Sequence, residues 1–433
     1  MEPVPIRGRP GTKALPLTQK RAVGGPIALG LLAAYAGVAL AGFLAAAIVL
    51  LLAAPDLAGG SPLGRMPVLA THLLALGFLA FAVTGATFHL VPVMLRNDVR
   101  HPGRLRLALP LLAGGFVLAP GLAYDRDALV WTGASLVAAA LLLVLGELLG
   151  LVVHAPRGRT LVASRTGVAL SGFHAACALV LGAVVFSQDG RPFAGVGVDR
   201  WLLVHLDLAI LGWLTLLIVT VGRTLAPMLA QAPTAGPRRL PLLELSLTAG
   251  LWTLLAGIAA SSTAAKAAGG AAMLAALAAF AVFLARVARA RRASLEAPLA
   301  HLLAGVAFLL EAAVIGFLVL ADAISVGSGV TAYVVFLLLG WAGGVTLGHI
   351  GKMLSLSLWV WWPPGPRPRQ AALYPRALWL LEGAVFALGV ELVGLAPLTG
   401  SEGLAYAGAS VLVAAALLAW AGALRTWHSR PHG

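Results

Sequence analysis

Two histidines, His72 and His205, stand in apolar stretches with few other polar side chains. Imidazole in such a setting is a candidate for binding a metal. Two neutral rings that converge from separate helices can supply both axial ligands of a haem iron, a role that needs no cysteine and no neighbour in sequence. Cys177 is the single cysteine, which excludes an internal disulfide, a thiolate zinc cage and a C-x-x-C-H haem attachment. A second set of polar groups comprises His89, Arg223, His349 and Lys352, with His174 and His301 nearby in depth. The acids among the apolar runs are Glu147, Asp207, Glu311, Glu382 and Glu391, with Glu244 close to an end. A charge in hydrocarbon costs about 2.5 to 3.5 kcal/mol, so these groups are expected to face a cavity, a partner or a cofactor. Plainer roles compete with these: a histidine near a helix end can simply meet water, Arg223 and Lys352 can snorkel to an interface, and acids can pair with bases. There is no phosphate-cradling Gly-Lys-Ser/Thr loop, no G-x-S-x-G nucleophile and no His-Glu-x-x-His helix.

The elements that must position these groups follow from composition. The chain has 433 residues, of which 60% are apolar and 11% charged, against about 25% charged in soluble domains. Twelve bilayer spans need roughly 240 to 300 residues, which the apolar runs provide. Charge clusters and Pro/Gly punctuation place them at 26–54, 67–95, 105–123, 128–153, 166–186, 201–229, 241–260, 267–288, 299–321, 329–361, 377–397 and 404–424. The expected fold is an all-α integral membrane protein of twelve transmembrane helices. It has a basic cytoplasmic tail over 1–25, one membrane domain over 26–425 and a cytoplasmic tail over 426–433. No small-residue cleavage site follows the first apolar run, so that run reads as a retained helix.

A net charge of +14 would suggest nucleic acid in a soluble protein, but topology accounts for it here and no nucleic-acid partner is expected. With the N-terminus inside, 23 of the 30 Lys and Arg fall on the cytoplasmic side. Only Arg65, Arg126, Arg191, Arg200 and Lys266 fall opposite, and Arg223 and Lys352 lie within spans. This alternation predicts an even number of spans with both termini cytoplasmic.

Spans two, six and ten share a pattern without gaps. Aligning Gly77-Phe78, Gly212-Trp213 and Gly340-Trp341 brings Pro92 onto Pro227, and His89 onto Thr224 and Lys352. The separations are 135 residues from 77 to 212 and 128 from 212 to 340, which is four spans each time. A threefold four-helix pseudo-repeat is the reading, and such repeats commonly surround the functional site. His72 and His205 share one depth, within roughly 10 Å of the outer helix ends. His349 and Lys352, three apart, share a helix face. His205, Gly212 and Arg223 fall nearly on one line of an α-helix, which could lead from an outer site to an inner one. Asp207 lies about 200° around from His205. The Trp359-Val360-Trp361-Trp362 cluster reads as an interfacial aromatic belt.

These residues resemble a known superfamily. Leu203 through Trp213, with its His205 and Leu211-Gly212-Trp213, is similar to the H-x-H…L-G-W segment of the tenth helix in cbb-type haem-copper oxidase subunit I. His72 followed by Gly85-Ala86-Thr87-Phe88-His89-Leu90-Val91-Pro92 resembles the second helix of the nitric oxide reductases, in which a His ligates low-spin haem. Gly348-His349-Ile350-Gly351-Lys352 resembles the G-H-x-x-K/R element of NnrS-type haem- and copper-containing membrane proteins. The resemblance implies a subunit I-like fold in a prokaryotic inner membrane and non-covalent haem b. It also implies an electron donor or other membrane subunits as partners. His72 and His205 carry over as haem ligands and His349 as a metal or haem candidate. Asp207 stands where the oxidase motif has its second His, and span seven lacks the adjacent His pair that holds copper. Copper is therefore left open, and no His-Tyr element of an oxygen-reducing centre is present.

The expected function is a membrane haem protein with a redox or nitric-oxide-related role, with enzyme activity left open. Arg65 and Arg200, just before the two ligand-bearing helices, are the candidates to anchor haem propionates. His89, Arg223, Lys352 and Asp207 would form a proton path or a second site. The rival is a twelve-span secondary transporter in which the same bases and acids bind an anion or carry protons. A non-catalytic accessory subunit is the third reading.

Overall fold

The computed structural model describes residues 27–158, 161–188, 191–233, 241–363 and 365–429, which excludes the tail assigned to 1–25 and the end of the tail assigned to 426–433. Within them are twelve helices long and apolar enough to cross a bilayer. Spans 1 to 12 are Leu29–Leu52, Arg65–Leu95, Pro102–Ala123, Asp127–Val153, Val162–Ser187, Val198–Ala230, Leu242–Ala259, Thr263–Arg289, Ala297–Leu320, Val326–Val360, Arg376–Thr399 and Glu402–His428. Helix is what hydrocarbon demands, since it satisfies backbone polar groups within each segment. Starts are set by local chemistry: Ser262, Ser325 and Ser401 cap spans 8, 10 and 12 by accepting a backbone N–H three residues on. Spans 2 and 6 stop in the same way, on left-handed residues Arg96 and Gln231 four positions after Pro92 and Pro227. These prolines therefore mark final turns and not mid-membrane kinks.

Short connections make successive helices antiparallel. The face where span 1 begins and span 12 ends is called proximal below, and the other distal. Neighbour relations recur every four spans: 1 packs on 2, 5 on 6 and 9 on 10, while 3 packs on 4, 7 on 8 and 11 on 12. The contacts of 4 with 5, 8 with 9 and 12 with 1 close the ring. Spans 2, 6 and 10 pack on one another at its centre. Their most apolar stretches are 61%, 61% and 83% buried, against 28% to 50% for the outer nine, whose remaining surface is apolar and suited to lipid.

Each central span contains a π-helical stretch, Leu73–Leu79, Leu208–Thr215 and Val335–Gly343, and each stretch holds the Gly-aromatic pair of the sequence alignment. A π turn leaves backbone groups out of the regular ladder and is frequent at functional sites. Ser171 donates to the Trp213 carbonyl, and the buried Trp341 indole donates to Thr215 Oγ1 at 2.8 Å, tying span 10 to span 6.

Glycine allows one close backbone approach at this level. A Cβ on Gly42 of span 1 would overlap the Gly77 carbonyl of span 2, which cannot move aside as a side chain would. Gly42→Ala is expected to cost at least the ~3 kcal/mol upper end of ordinary overpacking. Gly37→Ala, with nothing within 4 Å of its new methyl in mid-helix, should leave stability unchanged or raise it by up to ~1 kcal/mol. Thermal unfolding of the purified variants reads the contrast, and equal stabilities would contradict this packing.

Candidate functional site

In the distal half, His72 of span 2 and His205 of span 6 are both partly buried. Spans 2 and 6, which carry them, pack on each other. His72 Nδ1 lies 2.9 Å from the carbonyl of Val68, and His205 Nδ1 lies 2.9 Å from the carbonyl of Ala178 in span 5. A carbonyl only accepts, so Nδ1 carries the hydrogen in both rings and Nε2 keeps its lone pair. This hydrogen bond is the one that orients a metal-ligating histidine and raises its basicity. Room for the His205 ring comes from Gly182, where a Cβ would stand 2.8 Å from Cε1. Gly182→Val should therefore displace the imidazole and lower whatever occupancy it supports, by about 10- to 100-fold in affinity as for loss of a ligand's orienting partner. An unchanged metal content would contradict that arrangement.

Asp207, two residues from His205, faces the other way. Its Oδ1 accepts a 2.9 Å hydrogen bond from Tyr333 of span 10, and the residue is 4% exposed. Tyr333 precedes Gly340 by the same seven residues that separate His205 from Gly212, an offset through which sequence comparison could have found it. The two arginines at the distal ends are engaged locally. Arg65 lies over the Tyr124 ring at 6.0 Å, and Arg200 donates to the Ala259 carbonyl and Ser261 Oγ at the end of span 7.

The proximal polar residues do not form one constellation. Arg223 pairs with Glu244 of span 7, and Lys352 pairs with Glu296 at 2.8 Å while lying 5.0 Å from the Tyr374 ring centre. His89 Nδ1 stands 3.3 Å from Ser357 Oγ of span 10. Lys352 and His349, three apart, have different surroundings. His349 Nδ1 is 2.7 Å from the Val345 carbonyl, and its ring lines an apolar cavity of about 70 Å³ between spans 2, 6 and 10, with Val83, Thr87, Leu217 and Val221. The single line expected through His205, Gly212 and Arg223 is broken, because the π turn at Leu208–Thr215 rotates the following helix relative to α-helical spacing. His174 lies under the same π turn, against the Gly212 backbone. Glu147 accepts from the His101 backbone N–H and from Arg104, which clamps the connection after span 2 onto span 4.

Among the described residues no three His, Cys, Asp or Glu side chains group as a metal-ion cage. The donor set is two imidazoles, each with Nδ1 on a backbone carbonyl, carried by central spans that pack on each other. No protein-family model matches this sequence, and no curated protein is similar enough to match it.

Proposed function

We propose that this chain is an integral membrane haem protein related to subunit I of the haem-copper oxidases, with a role in electron transfer or nitric oxide handling. The observation that carries the reading is the His72 and His205 pair, presented by two central spans with Nδ1 anchored on carbonyls and Nε2 free. The recurring neighbour pattern and the three π turns support a threefold four-helix unit of the subunit I kind. The distribution of Lys and Arg supports an N-in, C-in orientation, and the resemblance implies a prokaryotic inner membrane. Bound haem b would supply a one-electron iron couple. The chain's own residues fix the two imidazoles, exclude water with the apolar centre and hold His349 at a separate cavity. Arg65 is the nearer fit as a propionate anchor, because Arg200 is already committed to the end of span 7. Arg223 and Lys352, two of the groups on which the transporter reading rests, both sit in ion pairs. The deciding experiment is the optical spectrum and iron content of protein purified from haem-replete cells. A Soret band with stoichiometric iron is expected, and colourless, iron-free protein would refute the reading.

A further inference from the structure

A different pair of ionisable groups lies between spans 9, 10 and 11, toward the proximal face. His301 and Glu382 are 4% and 0% exposed, with Nε2 and Oε2 3.1 Å apart. His301 Nδ1 is 2.9 Å from the Gly344 carbonyl and so carries a hydrogen. The Nε2 side faces a carboxylate, and a neutral imidazole has no second hydrogen to offer. One further proton must therefore lie on His301 or on Glu382, in contrast to His72, His205 and His349, whose Nε2 meets no acid among the described residues. The socket is built for these rings. A Cβ on Gly383 would come 2.5 Å from His301 Nε2, a Cβ on Gly348 would overlap the same ring, and Gly351 and Gly422 make room for Trp379.

Polar atoms around the pair call for water. Both Glu382 oxygens, His301 Nε2, Trp379 Nε1 and the Tyr374 hydroxyl are buried without an aligned hydrogen bond among the described residues. Buried groups of this kind are nearly always satisfied, by ordered water where protein does not serve. Tyr374 leads outward, since its ring lies against Lys352, which pairs with Glu296. Burial pushes its phenol up, so it remains a hydroxyl that can donate.

We propose that His301 and Glu382 form a proton-binding site inside the bundle, holding one proton between them and reached by water past Tyr374 from the proximal face. On release the proton passes to water and leaves a neutral imidazole beside a carboxylate. Uptake is the reverse. The titratable and charged groups that bear on the pair are His349 from span 10, Tyr374 and, beyond it, Lys352, Glu296 and Arg376.

Two measurements on the full chain in lipid nanodiscs test this. In hydroxyl-radical footprinting, Trp379 and Tyr374 should be oxidised at rates approaching that of the exposed Trp361, because radicals form on adjacent water. Trp341, equally buried but bonded to Thr215, should stay unmodified and serves as the dry reference. Trp379 and Tyr374 as inert as Trp341 would overturn the hydrated site. In pH-difference infrared spectra, a carboxyl signal that shifts in D2O should vanish in Glu382→Gln and move in His301→Gln. Identical carboxyl signals in wild type and Glu382→Gln would overturn the proton assignment. Should Glu382→Gln fail to fold, the wild-type footprint and the His301→Gln shift still decide. Neither readout needs haem, so colourless protein would leave this proposal standing.

Discussion

His72→Ala and His205→Ala should each yield folded protein that has lost its Soret band. If the pair holds haem as proposed, each substitution removes an iron ligand and leaves the partner imidazole alone. The loss in haem affinity is expected to exceed the ~10- to 100-fold that removing only a ligand's hydrogen-bond partner costs. His154→Ala is the control, since that ring lies at the proximal surface against Arg100 and should leave the spectrum unchanged. His205→Met separates ligation from packing. A thioether can still bind iron, so the band should persist with a raised reduction potential, whereas a purely structural histidine would give Met and Ala variants with the same spectrum. Full colour in both alanine variants, with unaltered iron content, would remove these residues from the site.

Glu244→Ala is expected to be strongly destabilising. Glu244 is 1% exposed and Arg223 15%, and the two are in contact within the apolar bundle. Removing the carboxylate strands a guanidinium, which costs about 3 to 5 kcal/mol for a buried pair. The double variant Arg223→Met, Glu244→Leu should recover most of that loss, because well-packed apolar side chains replace a buried pair at little cost. Thermal unfolding of the three proteins gives the comparison. A single-variant cost below ~1 kcal/mol would mean that Arg223 reaches the interface and that the pair behaves as a surface bridge. An unshifted haem spectrum in Glu244→Ala would separate Arg223 from the distal site, as the intervening π turn already suggests.

Twelve helices were legible in the residues alone, because hydrocarbon admits few alternatives and a run of 20 apolar residues declares itself. Boundaries moved where polar residues extend a helix past the apolar stretch: 404–424 became Glu402–His428, with Arg425 and His428 in a last turn that favours cations. The recurrence of Gly-aromatic pairs pointed to spans 2, 6 and 10, and these are the central three. Their π geometry had no compositional sign, and it undid the line drawn at 100° per residue from His205 to Arg223. Tertiary structure alone decided where the charges go. Arg223 found Glu244 21 residues on, Lys352 found Glu296 56 residues back, and Glu382 met His301 across 81 positions. Periodicity places a side chain on a face of its own helix, whereas its partner depends on which helices become neighbours and on how closely glycines such as Gly42, Gly348 and Gly383 let them approach.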